Sequence, residues 1–179
     1  MIARAELLVR LRGPLSVVGM STTTGTPPLI YELAVGKMTN GVASDSLWTY
    51  YVQPDVSSAR IPARALPLVS KAPPWAEVSE HIVAAVGTDP VVFHDRTARR
   101  VLRTHLPDWR LPRVLYAWEI AQNEWPQVNS GPPRPVGGAA ATVEGIRAMV
   151  TALLVHARAI PAPENPPQQQ RHTNVSSGD

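Results

Sequence analysis

The sequence predicts an α/β fold, a mixed five- or six-stranded sheet flanked by helices on both faces. Three observations point to it. Three short apolar runs near the N-terminus are joined by turn signals, as in an antiparallel meander. Apolar runs then alternate with segments of helical period, which brings parallel strands into the same sheet. Near the C-terminus, apolar residues three or four apart mark a closing amphipathic helix.

Taken in order, residues 1–13 read as a short amphipathic lead-in of alternating basic and aliphatic side chains. Residues 15–20 form a buried strand, bounded by Pro14 and a polar run. The threonine-rich loop at 21–28 ends in Pro27 and Pro28, which no central strand tolerates. A second strand covers 29–36, and the hairpin dipeptide Asn40-Gly41 leads to a third around 47–52. Residues 54–74 are a proline-punctuated crossing loop. A helix follows at 75–86, with Trp75, Val78, Ile82 and Val86 on one stripe. Next come a short apolar strand at 90–93, an arginine-rich helix at about 96–105, a strand at 113–115 and a helix at 116–123. Residues 124–138 carry too much proline and glycine for regular structure. Thr142 is a good N-cap for the last helix, at 142–158, whose buried stripe is Val143, Ile146, Val150, Leu153 and Ala157. Residues 1–160 thus make one domain, and 161–179 a disordered tail rich in proline and glutamine.

Composition narrows the function. The 179 residues are 44% hydrophobic and 17% charged, enough apolar material for a core. The 19 prolines argue against a helical bundle. With no cysteine, disulfides, zinc ribbons and thiol catalysis are excluded. No continuous apolar run approaches the roughly 18 residues of a membrane span, and the N-terminus has no signal-peptide core. The expectation is a soluble, cytoplasmic chain. Net charge is +3, and all but Lys37 and Lys71 of the 17 basic residues are arginine. Six arginines (Arg96, Arg99, Arg100, Arg103, Arg110 and Arg113) stand against Asp95 and Asp108, a local balance of +4. The rest of the chain therefore sums to −1. One segment carries the basic character, either as the footprint of a nucleic-acid binder or as a solvated helix face.

The order of elements and several short runs resemble the DnaQ-like (DEDD) 3′–5′ exonucleases, which have a ribonuclease H-like fold. Residues 17–25, Val-Val-Gly-Met-Ser-Thr-Thr-Thr-Gly, look like the first-strand motif V-V-x-D-x-E-T-T-G. Residues 30–35 look like the second strand. Val52-Gln53-Pro54, Ile61-Pro62 and the run from Ala72 to Val78 resemble the third-strand exit, crossing loop and helix start. Val91-Val92-Phe93-His94-Asp95 looks like the strand leading into H-N-x-x-F-D. The likeness covers about residues 15–158.

What the resemblance implies chemically is a two-metal site held by four carboxylates, with a histidine as general base. The departures fall on those positions. Met20 and Thr22 stand where the family has Asp and Glu, and the helix aspartate aligns with Ala98 if one residue is deleted after Asp95, or with Arg99 if none is. The final His-x₄-Asp falls on Ala139 and Glu144. Magnesium and manganese need oxygen ligands. Asp95 and Glu144 together would supply half of the usual set. The resemblance therefore implies a scaffold without its reaction, no catalytic residue and no cofactor.

Other chemistry is thin. His94-Asp95 matches a phosphohydrolase dipeptide without the further helical histidines that site needs. Gly19 to Gly25 lacks the lysine and spacing of a phosphate loop. Trp75 and Trp118 are expected as core anchors, and Trp109 and Trp125 as exposed stacking platforms or partner hot spots. Two main readings remain open. One is an inactive exonuclease-like domain binding single-stranded DNA or RNA through Arg96, Arg99, Arg100 and Arg103. The other is a protein-interaction or regulatory module on the same fold. A nuclease with an atypical metal site is a third.

Overall fold

A computed structural model of the chain describes residues 3–54, 60–125 and 137–159. Eleven elements follow one another: α1 (Arg4–Arg12), β1 (Pro14–Thr22), β2 (Ile30–Thr39), β3 (Val42–Tyr51), α2 (Leu66–Val69), α3 (Trp75–Val86), β4 (Val91–Phe93), α4 (Arg96–His105), β5 (Val114–Tyr116), α5 (Ala117–Glu124) and α6 (Ala139–Ala159). The sheet has five strands in the order β3-β2-β1-β4-β5. β1, β2 and β3 pair antiparallel, while β4 joins β1, and β5 joins β4, in parallel. The meander closes through Asn40 and Gly41, both at positive φ (53° and 76°), as a two-residue hairpin of primed type requires.

Helices cover both faces, so the central strand β1 is buried without a break from Leu15 to Gly19 rather than alternating. Leu15, Val17, Ala34, Met38 and Val92 pack against α1, α5 and α6. Val18, Leu33, Val35, Val91 and Phe93 pack against α3 and α4. α6 is seated on β1 at Gly19, where any Cβ would overlap the Ala139 carbonyl oxygen. α6 is also long and apolar enough to cross a membrane by length and mean composition, although Glu144 and Arg147 interrupt its apolar run. The 142–158 reading began it too late, and its buried face is core: Val143, Ile146, Val150 and Leu153 are at most 2% exposed.

Three more differences have physical causes. Residues 4–12 form a full helix, not a lead-in, because Leu7 and Leu11 lie four apart and bury together. The crossing loop contains the single turn α2, anchored by Val69. Thr142 is not the N-cap of α6; its hydroxyl donates to the Gly138 carbonyl at 3.1 Å. Of the segment expected to be irregular at 124–138, Glu124 closes α5, while residues 126–136 and the tail at 161–179 lie outside the described residues.

Candidate functional site

β1 ends, β4 ends, α4 begins and α6 begins around one cleft of about 400 Å³. Met20, Ser21 and Thr22 line it from β1, Thr97, Ala98 and Val101 from α4, Gly138 and Thr142 from the start of α6. Val18, Tyr31, Arg64, His94 and Asp95 complete the wall. The structure thus brings Met20, Thr22 and Ala98 together, as the sequence motifs require.

It does not bring Ala139 and Glu144 with them. Ala139 is fully buried on Gly19. The Glu144 side chain is 55% exposed and pairs with Arg147 at 2.9 Å. The five-residue spacing is met instead by Gly137 and Thr142, two positions earlier. Two residues turn a helix by about 200°, enough to carry a side chain from one side to the other. The alanine run at 139–141 offers no side chain by which the sequence could set that register.

The donor set does not fit a pair of divalent metals. Hard cations need several oxygen ligands, and the four converging positions supply a thioether, two hydroxyls and a methyl group. Among the described residues, Asp95 is the one acid on the wall. Its carboxylate caps α4 by accepting the Ala98 N–H at 2.8 Å, and its other oxygen faces His94 Nδ1 at 3.1 Å. Among the described residues no three His, Asp or Glu side chains cluster as a metal site would need.

The opposite face of α4 is a different surface. Val101 and Leu102 hold the helix to the sheet, so Arg96, Arg99, Arg100 and Arg103 project together beside Thr104, Pro107 and Tyr116 around a groove of about 480 Å³. The four arginines are not equivalent. Arg96 lies over the Tyr116 ring at 5.6 Å and pairs with Glu119, whose hydrogen bond raises its pKa further. Arg99 donates through Nη1 to the Tyr116 hydroxyl at 2.9 Å, while its buried Nε has no partner among the described residues. Arg100 and Arg103 are exposed. Glu119 and Tyr116 escaped sequence reasoning because only folding places β5 and α5 beside α4.

The tryptophan expectation needs correction. Trp109 packs against the core beneath α3 and α4, and Trp125 against the one beneath α6. Both sit beside a helix end with apolar surface to cover, so neither is a free platform. Trp75 is partly buried as expected and donates to the His105 carbonyl at 3.0 Å.

Among solved structures, the chain superposes on a 3′-exonuclease caught in 3′-end-specific recognition of a histone mRNA stem-loop. The TM-score is 0.60 at 9% identity, over 84% of this chain and 69% of that one. The chain has the fold of a 3′–5′ exonuclease. The apo form of exonuclease I matches with a TM-score of 0.59 at 13% identity, over 82% of this chain and 42% of that one. Escherichia coli exonuclease I in complex with a dA13 oligonucleotide matches at 0.59 and 14% identity, over 81% and 40%. This chain therefore spans less than half of exonuclease I. No protein-family model matches the sequence, and no curated protein is significantly similar to it.

Proposed function

We propose that this exonuclease-fold domain is catalytically inactive and binds single-stranded DNA or RNA through the outer face of α4. The observation that carries it is the pairing pattern there: Tyr116 and Glu119 brace Arg99 and Arg96, and Arg100 and Arg103 stand exposed beside them. Clustered guanidinium groups repel one another, and phosphates relieve that repulsion better than water does. The solved neighbours support the reading, since one recognises an RNA stem-loop and another holds an oligonucleotide. The donor set supports inactivity, because two-metal hydrolysis takes its charge stabilisation from the ions.

The test is a pair of assays. Purified protein should bind a labelled single strand with an affinity that falls as salt rises, and should leave it undegraded with Mg²⁺ or Mn²⁺. Degradation would revive the reading of an atypical metal site. Absence of salt-dependent binding would favour a protein-interaction module, for which the apolar wall of Val18, Met20, Ala98 and Val101 is the supporting feature.

A further inference from the structure

We infer that the groove beside α4 seats a phosphomonoester at the end of a nucleic-acid strand, among Arg99, Arg100, Arg103 and the Tyr116 hydroxyl. The inference rests on the strand-binding reading above and adds which phosphate is taken. The four arginines do not form an even track. Arg96 is paired with Glu119, which offsets its charge. Arg103 is four residues from Arg99 and three from Arg100, so on the helix surface it neighbours both. These three line one groove of about 480 Å³, and no carboxylate lines it among the described residues. Nor does any of the three form an ion pair among the described residues. Three unneutralised cations thus share about 6 Å of helix rise. An anion relieves that repulsion.

Tyr116 adds a neutral donor to the same groove. Its oxygen accepts from Arg99 Nη1 at 2.9 Å, and its own hydrogen has no acceptor among the described residues. That bond also holds the half-buried Arg99 guanidinium in place before any ligand arrives. The donor set selects the kind of phosphate. An internal phosphodiester brings one negative charge and two unesterified oxygens. A monoester brings about −1.5 to −2 charges at pH 7 and three acceptor oxygens. Three guanidinium forks and a hydroxyl satisfy the monoester more fully, because each fork can hold two oxygens. A strand gripped only by internal phosphates needs cations spread along it, whereas three of these four are gathered together. The groove has room for the terminal nucleotide as well as its phosphate. Arg96, one turn nearer the start of α4, is left for the next phosphate of the strand.

Competition binding on the full chain tests this. Fluorescence anisotropy follows displacement of an internally labelled oligothymidine that has hydroxyls at both ends. Unlabelled competitors of equal length carry a 5′-phosphate, a 3′-phosphate or neither. At least one phosphorylated end should compete about tenfold better than the hydroxyl-ended strand, the worth of an added charged hydrogen bond. In the double variant Arg100→Ala, Arg103→Ala, whose replaced side chains are exposed, that advantage should disappear. Tyr116→Phe removes a donor without removing a charge and should lower it about threefold. Equal competition by all three oligomers overturns the inference and leaves salt-dependent strand binding standing. An advantage that survives unchanged in either variant overturns it too, because the phosphate then sits elsewhere. Thymidine 5′- and 3′-monophosphate separate a strand end from a free nucleotide. Both should compete far more weakly than the strand bearing the same phosphate, and a monophosphate that matches its strand overturns the inference. Absence of binding by every oligomer removes the strand-binding reading itself, and this inference with it.

Discussion

The Ala139 backbone N–H donates to the Glu32 carboxylate at 3.1 Å, joining residues 107 positions apart at the start of α6. The same oxygen accepts the Ser21 hydroxyl at 2.8 Å. Glu32 is only 8% exposed, so one carboxylate ties the end of β1, the start of β2 and the N-terminus of α6 around the cleft. It replaces the local cap that Thr142 does not provide. A negative charge here also complements the helix dipole.

Glu32→Ala should therefore cost about 2–3 kcal/mol, because it strands a helix N–H and a hydroxyl at the edge of the core. Glu32→Gln keeps an acceptor oxygen in the same place and loses only the charge, so its cost should stay below about 1 kcal/mol. Urea denaturation of both variants measures the difference. Equal losses would mean that the charge, not the hydrogen bonds, holds α6.

Gly19→Ala should destabilise the domain by about 1–3 kcal/mol or more, since backbone must move to admit the methyl group. The obstacle is the Ala139 carbonyl, which cannot rotate away as a side chain would. Thermal unfolding should show the loss. An unchanged melting temperature would place α6 farther from β1 than described.

The cleft geometry predicts which positions can rebuild a metal site. Met20→Asp, Thr22→Glu, Ala98→Asp and Thr142→Asp together should confer Mn²⁺ binding, read as a rise in melting temperature with added metal. The triple variant that keeps Thr142 and relies on Glu144 should gain much less, because Glu144 is turned toward Arg147. Equal metal stabilisation of the two variants would restore Glu144 to the cleft.

How far the sequence was legible depends on what each side chain could report. α3 and α4 are visible in their apolar stripes, and the β1–β3 meander in its hydrophobic runs and Asn40-Gly41. The first half of the cleft followed from Met20, Thr22 and Ala98, because strand and helix period fix where those residues face. The second half slipped by two residues in a run of glycine and alanine, whose side chains carry almost no periodic signal. β3 was read as starting five residues late, since its first half is small and polar, as an exposed edge can be. The partners of the arginines were not legible at all. Arg96 and Glu119 are 23 positions apart and meet only after β4 and β5 align.

That last pairing grades the arginines and gives the sharpest prediction about binding. A strand touching about four phosphates should show a log–log salt slope of roughly −3, from about −0.7 per contact. Arg100→Ala with Arg103→Ala removes two exposed cations and should cut that slope by about 1.4. Arg96→Ala should change it less, because Glu119 already offsets that charge. Glu119→Gln works in the opposite direction: it releases Arg96 from its ion pair, so binding should tighten and the slope steepen by up to about 0.7. Tyr116→Phe keeps the ring beneath Arg96 and deletes the hydroxyl that positions Arg99. It should weaken binding with little change in slope, since no charge is lost. Fluorescence anisotropy across a salt series reads all four variants on one scale. If Glu119→Gln and Arg96→Ala shift the slope by the same amount and in the same direction, α4 is not the surface that meets the phosphates.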